Sequence, residues 1–127
     1  MNRKGPKLGV LLAIVLLFLF FLFRRQAHRP TAGTGAFSRS YQQMVFTKHA
    51  RCRMECRHID ESEVWEILKR GTVNDEKSEP AARPGPKYAL EGMTHDHQRV
   101  RIIFAPSGGK VTIITVIDLD GKWKCNC

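Results

Sequence analysis

The strongest constraint on this chain is an uncharged run at residues 8–23, Leu-Gly-Val-Leu-Leu-Ala-Ile-Val-Leu-Leu-Phe-Leu-Phe-Phe-Leu-Phe. As a helix its sixteen residues reach about 24 Å at 1.5 Å per residue. That is short of a hydrocarbon core of roughly 30 Å, but long basic side chains can snorkel at both ends. A secretory signal peptide has a similar apolar stretch. Two features favour a retained anchor: Arg24 and Arg25 follow the run directly, and no A-x-A cleavage pattern appears before residue 36. The expectation is one transmembrane helix within residues 1–25, a single-pass membrane anchor. Arg3, Lys4 and Lys7 on one side match Arg24, Arg25 and Arg29 on the other, so charge bias does not orient it.

Residues 26–44 read as a flexible linker, with 26–40 rich in small and polar types. What remains, 45–127, is enough for one small core. The net charge of +9 also divides between the flanks of the apolar run and the rest of the chain. Five of the 21 basic residues flank the apolar run, and the other sixteen against all twelve acidic residues leave the rest at +4. That residue of charge is compatible with RNA or anionic lipid, and solubility explains it equally well.

Local patterns predict two helices followed by strands. Thr47 is placed to cap a first helix running to about Arg57. Asp60 and Glu63 form a variant capping box for a second, with Ile59 and Val64 as the hydrophobic staple. Val64, Ile67 and Leu68 make its apolar stripe, and Lys69, Arg70 and Gly71 close it. Thr72–Asp75 and Lys87–Met93 read as strands, separated by a Pro-rich loop at 78–86. Arg99–Ala105 alternates and reads as a half-buried strand, and Val111–Ile117, apolar on both faces, reads as a central one. Asp120-Gly121 signals a hairpin, with 122–125 as a short edge strand. The fold class is α+β: two helices packed on a mostly antiparallel sheet of about four strands, preceded by the transmembrane helix. Trp65, Ile67, Leu68, Phe104, Ile113 and Val116 are the expected core.

Three groupings can carry chemistry. On the first helix of this domain, His49, Cys52, Arg53 and Cys56 share about 100° of arc, and Arg57 extends it to about 140°. An imidazole with two guanidinium groups suits an anionic phosphodiester: His49 would move a proton, and Arg53 and Arg57 would hold phosphate oxygens. The bland alternative is solvated or ion-paired arginines. The second grouping is Cys52/Cys56 with Cys125/Cys127. These four would make a tetrahedral structural zinc site, or disulfides joining one pair to the other in an oxidising compartment, or packed free thiols. The third is Thr94-His95-Asp96-His97, whose His-x-His can ligate a metal, or supply a second acid or base if the third strand begins beside the His49 helix, or is simply a polar turn. No phosphate loop, nucleophile elbow or H-E-x-x-H is present, and catalysis as read here needs no cofactor.

The run Thr47-Lys-His49-Ala50-Arg-Cys-Arg53-Met54-Glu-Cys-Arg57-His-Ile59, with the acidic cap and Val64-x-x-Ile67-Leu68 after it, resembles the bacterial family called domain of unknown function 4258. The resemblance covers about residues 45–120. It implies the fold of small RNA-cleaving toxins of the barnase-like and RelE-like kind, with His49, Arg53 and Arg57 as the active-site positions. The membrane anchor and the four cysteines depart from that pattern. Two readings follow: a membrane-anchored, metal-independent RNA endonuclease, or a non-catalytic envelope module that binds a protein partner and is stabilised by zinc or disulfides.

Overall fold

The computed structural model describes residues 6–26 and 37–127. Residues 1–34 and 35–127 form two separate compact units. The first contains helix α1, Pro6–Gln26. Its described apolar side chains between Val10 and Phe21 are 51–67% exposed, with no wet face and no dry face. Among the described residues no helix is long and apolar enough to cross a membrane. The run expected to be transmembrane lies on α1, and its sixteen uncharged residues are short for a typical hydrocarbon core. The 27–36 part of the expected linker lies outside the described residues.

The second unit is an α+β domain. Its order is β1 (Gln43–Phe46), α2 (Lys48–Arg57), α3 (Glu61–Arg70), β2 (Thr72–Glu79), β3 (Lys87–Met93), β4 (Arg99–Ser107) and β5 (Lys110–Asp118). The strands form one sheet in the order β1-β5-β4-β3-β2. The β1–β5 pair is parallel and the other three are antiparallel. So the sheet has five strands, where about four were expected. The added one, β1, is only four residues long and stops immediately before the α2 cap, which hides it among polar neighbours.

Both helix starts form as their sequences direct. Thr47 accepts from the Ala50 N–H at 3.0 Å. Asp60 accepts from the Glu63 N–H at 2.9 Å, and Glu63 accepts in return from the Asp60 N–H at 3.0 Å, completing the capping box. The ends also fall where expected, at Arg57 and at Gly71, by two different means. His58, at φ 56°, terminates α2 in the left-handed region. Gly71 ends α3 with φ −60°, so it is needed for space instead: a Cβ there would meet the Ile67 carbonyl oxygen at 2.6 Å. Two carbonyls at the C-terminal end of α3 are taken by Arg39, whose guanidinium donates to Leu68 O and Gly71 O, each at 2.8 Å. Phe37 and Tyr41 pack against the core in the same segment. Residues 37–44, which read as linker, are therefore folded onto the domain.

The core lies between the helices and one sheet face, built from Ala50, Met54, Val64, Ile67 and Leu68 against Leu90, Val100, Ile102, Phe104, Val111, Ile113 and Val116. Trp65 is only half-buried, with Lys69 over its ring. Ile113 and Val116 are both fully buried although three residues apart, which strict strand alternation forbids. A register shift resolves this: Ile103 faces Thr115 while Phe104 faces Ile113, so Ile114 is the extra residue of a bulge. After β5 the expected edge strand at 122–125 is absent, and 121–127 is irregular. Asp118 causes the departure. Its Oδ1 accepts from Asp120 N and Gly121 N, and its Oδ2 accepts from the Trp123 indole, so the chain bends away from the sheet edge.

Leu68 and Ile113 have no exposed surface, so each side-chain truncation leaves a cavity. Leu68→Ala and Ile113→Ala should each cost about 2–5 kcal/mol in urea unfolding. A loss under about 0.5 kcal/mol at both would place the core elsewhere.

Candidate functional site

The helical arc that carries His49, Arg53 and Arg57 is present, because α2 runs unbroken through all three. Their surroundings differ. His49 is exposed in the first turn, and Arg53 is half-buried in the middle. Arg57 is half-buried and donates through Nη1 to the Val116 carbonyl. Burial, then the neighbouring Arg53 charge, lower its pKa from the ordinary guanidinium value, while Asp118 acts in the opposite direction.

The position of that bond explains it. Strand β1 pairs with β5 only as far as Phe46 opposite Ile113. Beyond that point β5 has a free edge, and side chains of α2 and its cap take over. Thr47 N donates to Ile113 O at 3.2 Å, and the Thr47 hydroxyl donates to Ile114 O at 3.1 Å. Arg57 supplies the next donor, at Val116. It therefore does the work of a missing strand, and only part of its fork is open to an anion.

The cysteines are joined in two disulfides, Cys52–Cys127 and Cys56–Cys125. With each sulfur bonded to a sulfur of the other pair, no thiolate is left to ligate zinc, and the tetrahedral-zinc expectation gives way to bridges between the pairs. The bridges fasten the C-terminal segment along α2, on the arc that includes His49. His58, at the end of α2, meets Trp123 of that segment edge-on, with ring centroids 5.7 Å apart.

The β3–β4 turn does not join this arc. His95 faces α3, so it is not the acid/base partner of His49. Its Nδ1 lies 4.0 Å from Glu63 Oε1 and 3.6 Å from Glu66 Oε2, and its Nε2 lies 3.6 Å from Asp96 Oδ1. His97 is exposed at φ 63°, where it makes the turn. The turn is well fixed: Thr94 N donates to Gln98 O, Gln98 N to the Thr94 hydroxyl, and the Gln98 amide to Arg57 O at 3.0 Å. Glu63 and Glu66 were legible only as helix residues. Their convergence with His95 depends on how α3 lies against the end of β3, for which the sequence offers no local signal.

A family model described as Domain of unknown function (DUF4258) matches residues 46–118. That segment contains Cys52 and Cys56 but ends before Cys125 and Cys127. No curated protein and no solved structure matches the chain.

The bridges are nested, and this sets how their contributions combine. In a chain-entropy account, the first to close ties a loop of some 70 residues and contributes about 4–5 kcal/mol. With it in place, the second closes an effective loop of only a few residues and adds about 2 kcal/mol. The variants Cys52→Ser/Cys127→Ser and Cys56→Ser/Cys125→Ser should each lose about 2 kcal/mol in urea unfolding, and the fourfold variant about 7. Simple addition of the two losses would show that the bridges act independently.

Proposed function

The chain belongs to the DUF4258 family, domains whose function is unknown, and on that footing we propose that it is a non-catalytic binding module, held at a membrane by α1 and displayed in an oxidising compartment. The observation that carries this reading is the pair of disulfides between α2 and the C-terminal segment. Disulfides persist outside the reducing cytosol. On this reading, in a bacterial cell envelope the domain would stand on the outer side of the inner membrane, where RNA is not an ordinary substrate. The role of Arg57 points the same way, since a side chain that completes the edge of β5 is a structural element first.

Attachment through α1 rests on its apolar surface, exposed from Val10 to Phe21. Soluble chains rarely leave so much contiguous apolar surface uncovered. The basic residues at both ends of the run suit lipid headgroups, and a short apolar length is accommodated by snorkelling or local thinning of the bilayer.

A second reading, RNA cleavage, is favoured by one observation: His49 is exposed on the same arc as Arg53. His49 would transfer the proton, with Arg53 and the open part of the Arg57 fork on phosphate.

Two measurements separate the readings. Membranes carrying the full chain, denatured without reductant and treated with a maleimide-polyethylene glycol, should show no mass shift. After reduction they should show addition at all four cysteines. Free thiols in the unreduced sample would remove the oxidising-compartment argument. The detergent-solubilised full chain should show no RNA cleavage that disappears in a folded His49→Ala variant. Cleavage lost in that variant would establish the second reading.

A further inference from the structure

The first turn of α3 buries a carboxylate that its own hydrogen bonds do not satisfy. Glu63 is 1% exposed. Its Oε2 accepts from Asp60 N, but its Oε1 is buried with no hydrogen-bond partner. An ionised carboxylate has about four acceptor sites, and leaving one oxygen dry is costly. The unsatisfied oxygen points at His95 Nδ1, 4.0 Å away and too far for a hydrogen bond. Glu66, one turn along on the same face, brings Oε2 to 3.6 Å from the same nitrogen. Two carboxylates of one helix, one of them buried, thus converge on a single imidazole nitrogen.

The spacing fits an ion better than a proton. Two ligand atoms each about 2.0–2.2 Å from a four-coordinate ion stand roughly 3.3–3.6 Å apart. The separations of 3.6 and 4.0 Å approach that range and exceed a charge-assisted hydrogen bond. One ligand atom each of Glu63, His95 and Asp96 lies within 4.8 Å of the others. Asp96 Oδ1 is also 3.6 Å from His95 Nε2, so the turn delivers an imidazole and a carboxylate together to Glu63. Glu66 Oε1 is 3.6 Å from Arg70, which leaves Oε2 for the ion. Asp60 is already committed to Ser62 and to the Glu63 N–H.

We propose that Glu63, His95 and Asp96 bind a divalent transition-metal ion between α3 and the β3–β4 turn, with Glu66 as the fourth ligand. One imidazole with carboxylates suits zinc or a similar borderline ion above magnesium or calcium, which prefer all-oxygen sets. The site is separate from the cysteines and from the His49 arc, and does not depend on the function proposed above.

The test uses the untagged full chain in detergent, with both disulfides intact by thiol assay. Calorimetric titration with zinc chloride should give one equivalent bound, with magnesium failing to compete. Cobalt should give the visible absorption of a low-symmetry site. His95→Ala should abolish binding and leave the fold unchanged, because that side chain is half exposed. Glu63→Gln should also abolish it while keeping the cap, since glutamine serves at that position. If that variant misfolds, Glu66→Gln makes the same test from a less buried residue. Asp96→Asn removes a ligand charge and should abolish stoichiometric binding. Absence of stoichiometric binding by the parent, or unchanged binding by His95→Ala, would overturn the proposal.

Discussion

The free edge of β5 beyond Ile113 is the constraint from which much of this domain follows. A strand edge inside a packed domain cannot leave its carbonyls dry. Here β1 covers the first half of that edge and then ends, and the chain turns directly into a helix whose cap and final arginine cover the second half. One helix is thereby fixed to one strand at both ends. Its Ala50 and Met54 face the core as a result, and its cysteines lie beside the segment that leaves β5.

Where structure depends on neighbours in sequence, the sequence was informative. The capping box at Asp60 and Glu63 formed reciprocally, and the Thr47 cap formed on Ala50. The three later core strands came out in place, with β2 extending to Glu79, farther than its short apolar start implied. Where structure depends on distant partners, it was not. Strand β1 exists because β5 offers it an edge, and the four residues Gln43–Phe46 carry too little pattern to announce that. Arg39 reads as one more charge in a polar stretch, yet its fork closes the end of α3. The bulge at Ile114 left a trace: Ile113 and Val116 both read as core, which an unbroken pleat would not permit.

The candidate sites divide in the same way. Helical spacing alone was enough to place His49, Arg53 and Arg57 on one arc, but not to show that Arg57 is already engaged by a backbone carbonyl. Glu63 illustrates the limit more sharply. As a capping residue it is explained by the sequence after one of its oxygens is used. The other oxygen acquires meaning only when the β3–β4 turn delivers His95 from some thirty residues away. A residue with a satisfactory local role can thus conceal a long-range one.

The spacing of the cysteines contains a match of lengths. Four residues along a helix advance about 6 Å, and two residues of extended chain advance between 6 and 7 Å. Cys52 to Cys56 and Cys125 to Cys127 are therefore equal steps on two different rulers, and both bridges have the same Cα–Cα distance of 5.9 Å. Because the earlier cysteine of one pair joins the later cysteine of the other, the two rulers lie in opposite directions. A single bridge would let the tail swivel about its attachment point. Two bridges in step set both the direction of travel and the residue-by-residue alignment, giving an irregular segment the kind of register that strands obtain from hydrogen bonds.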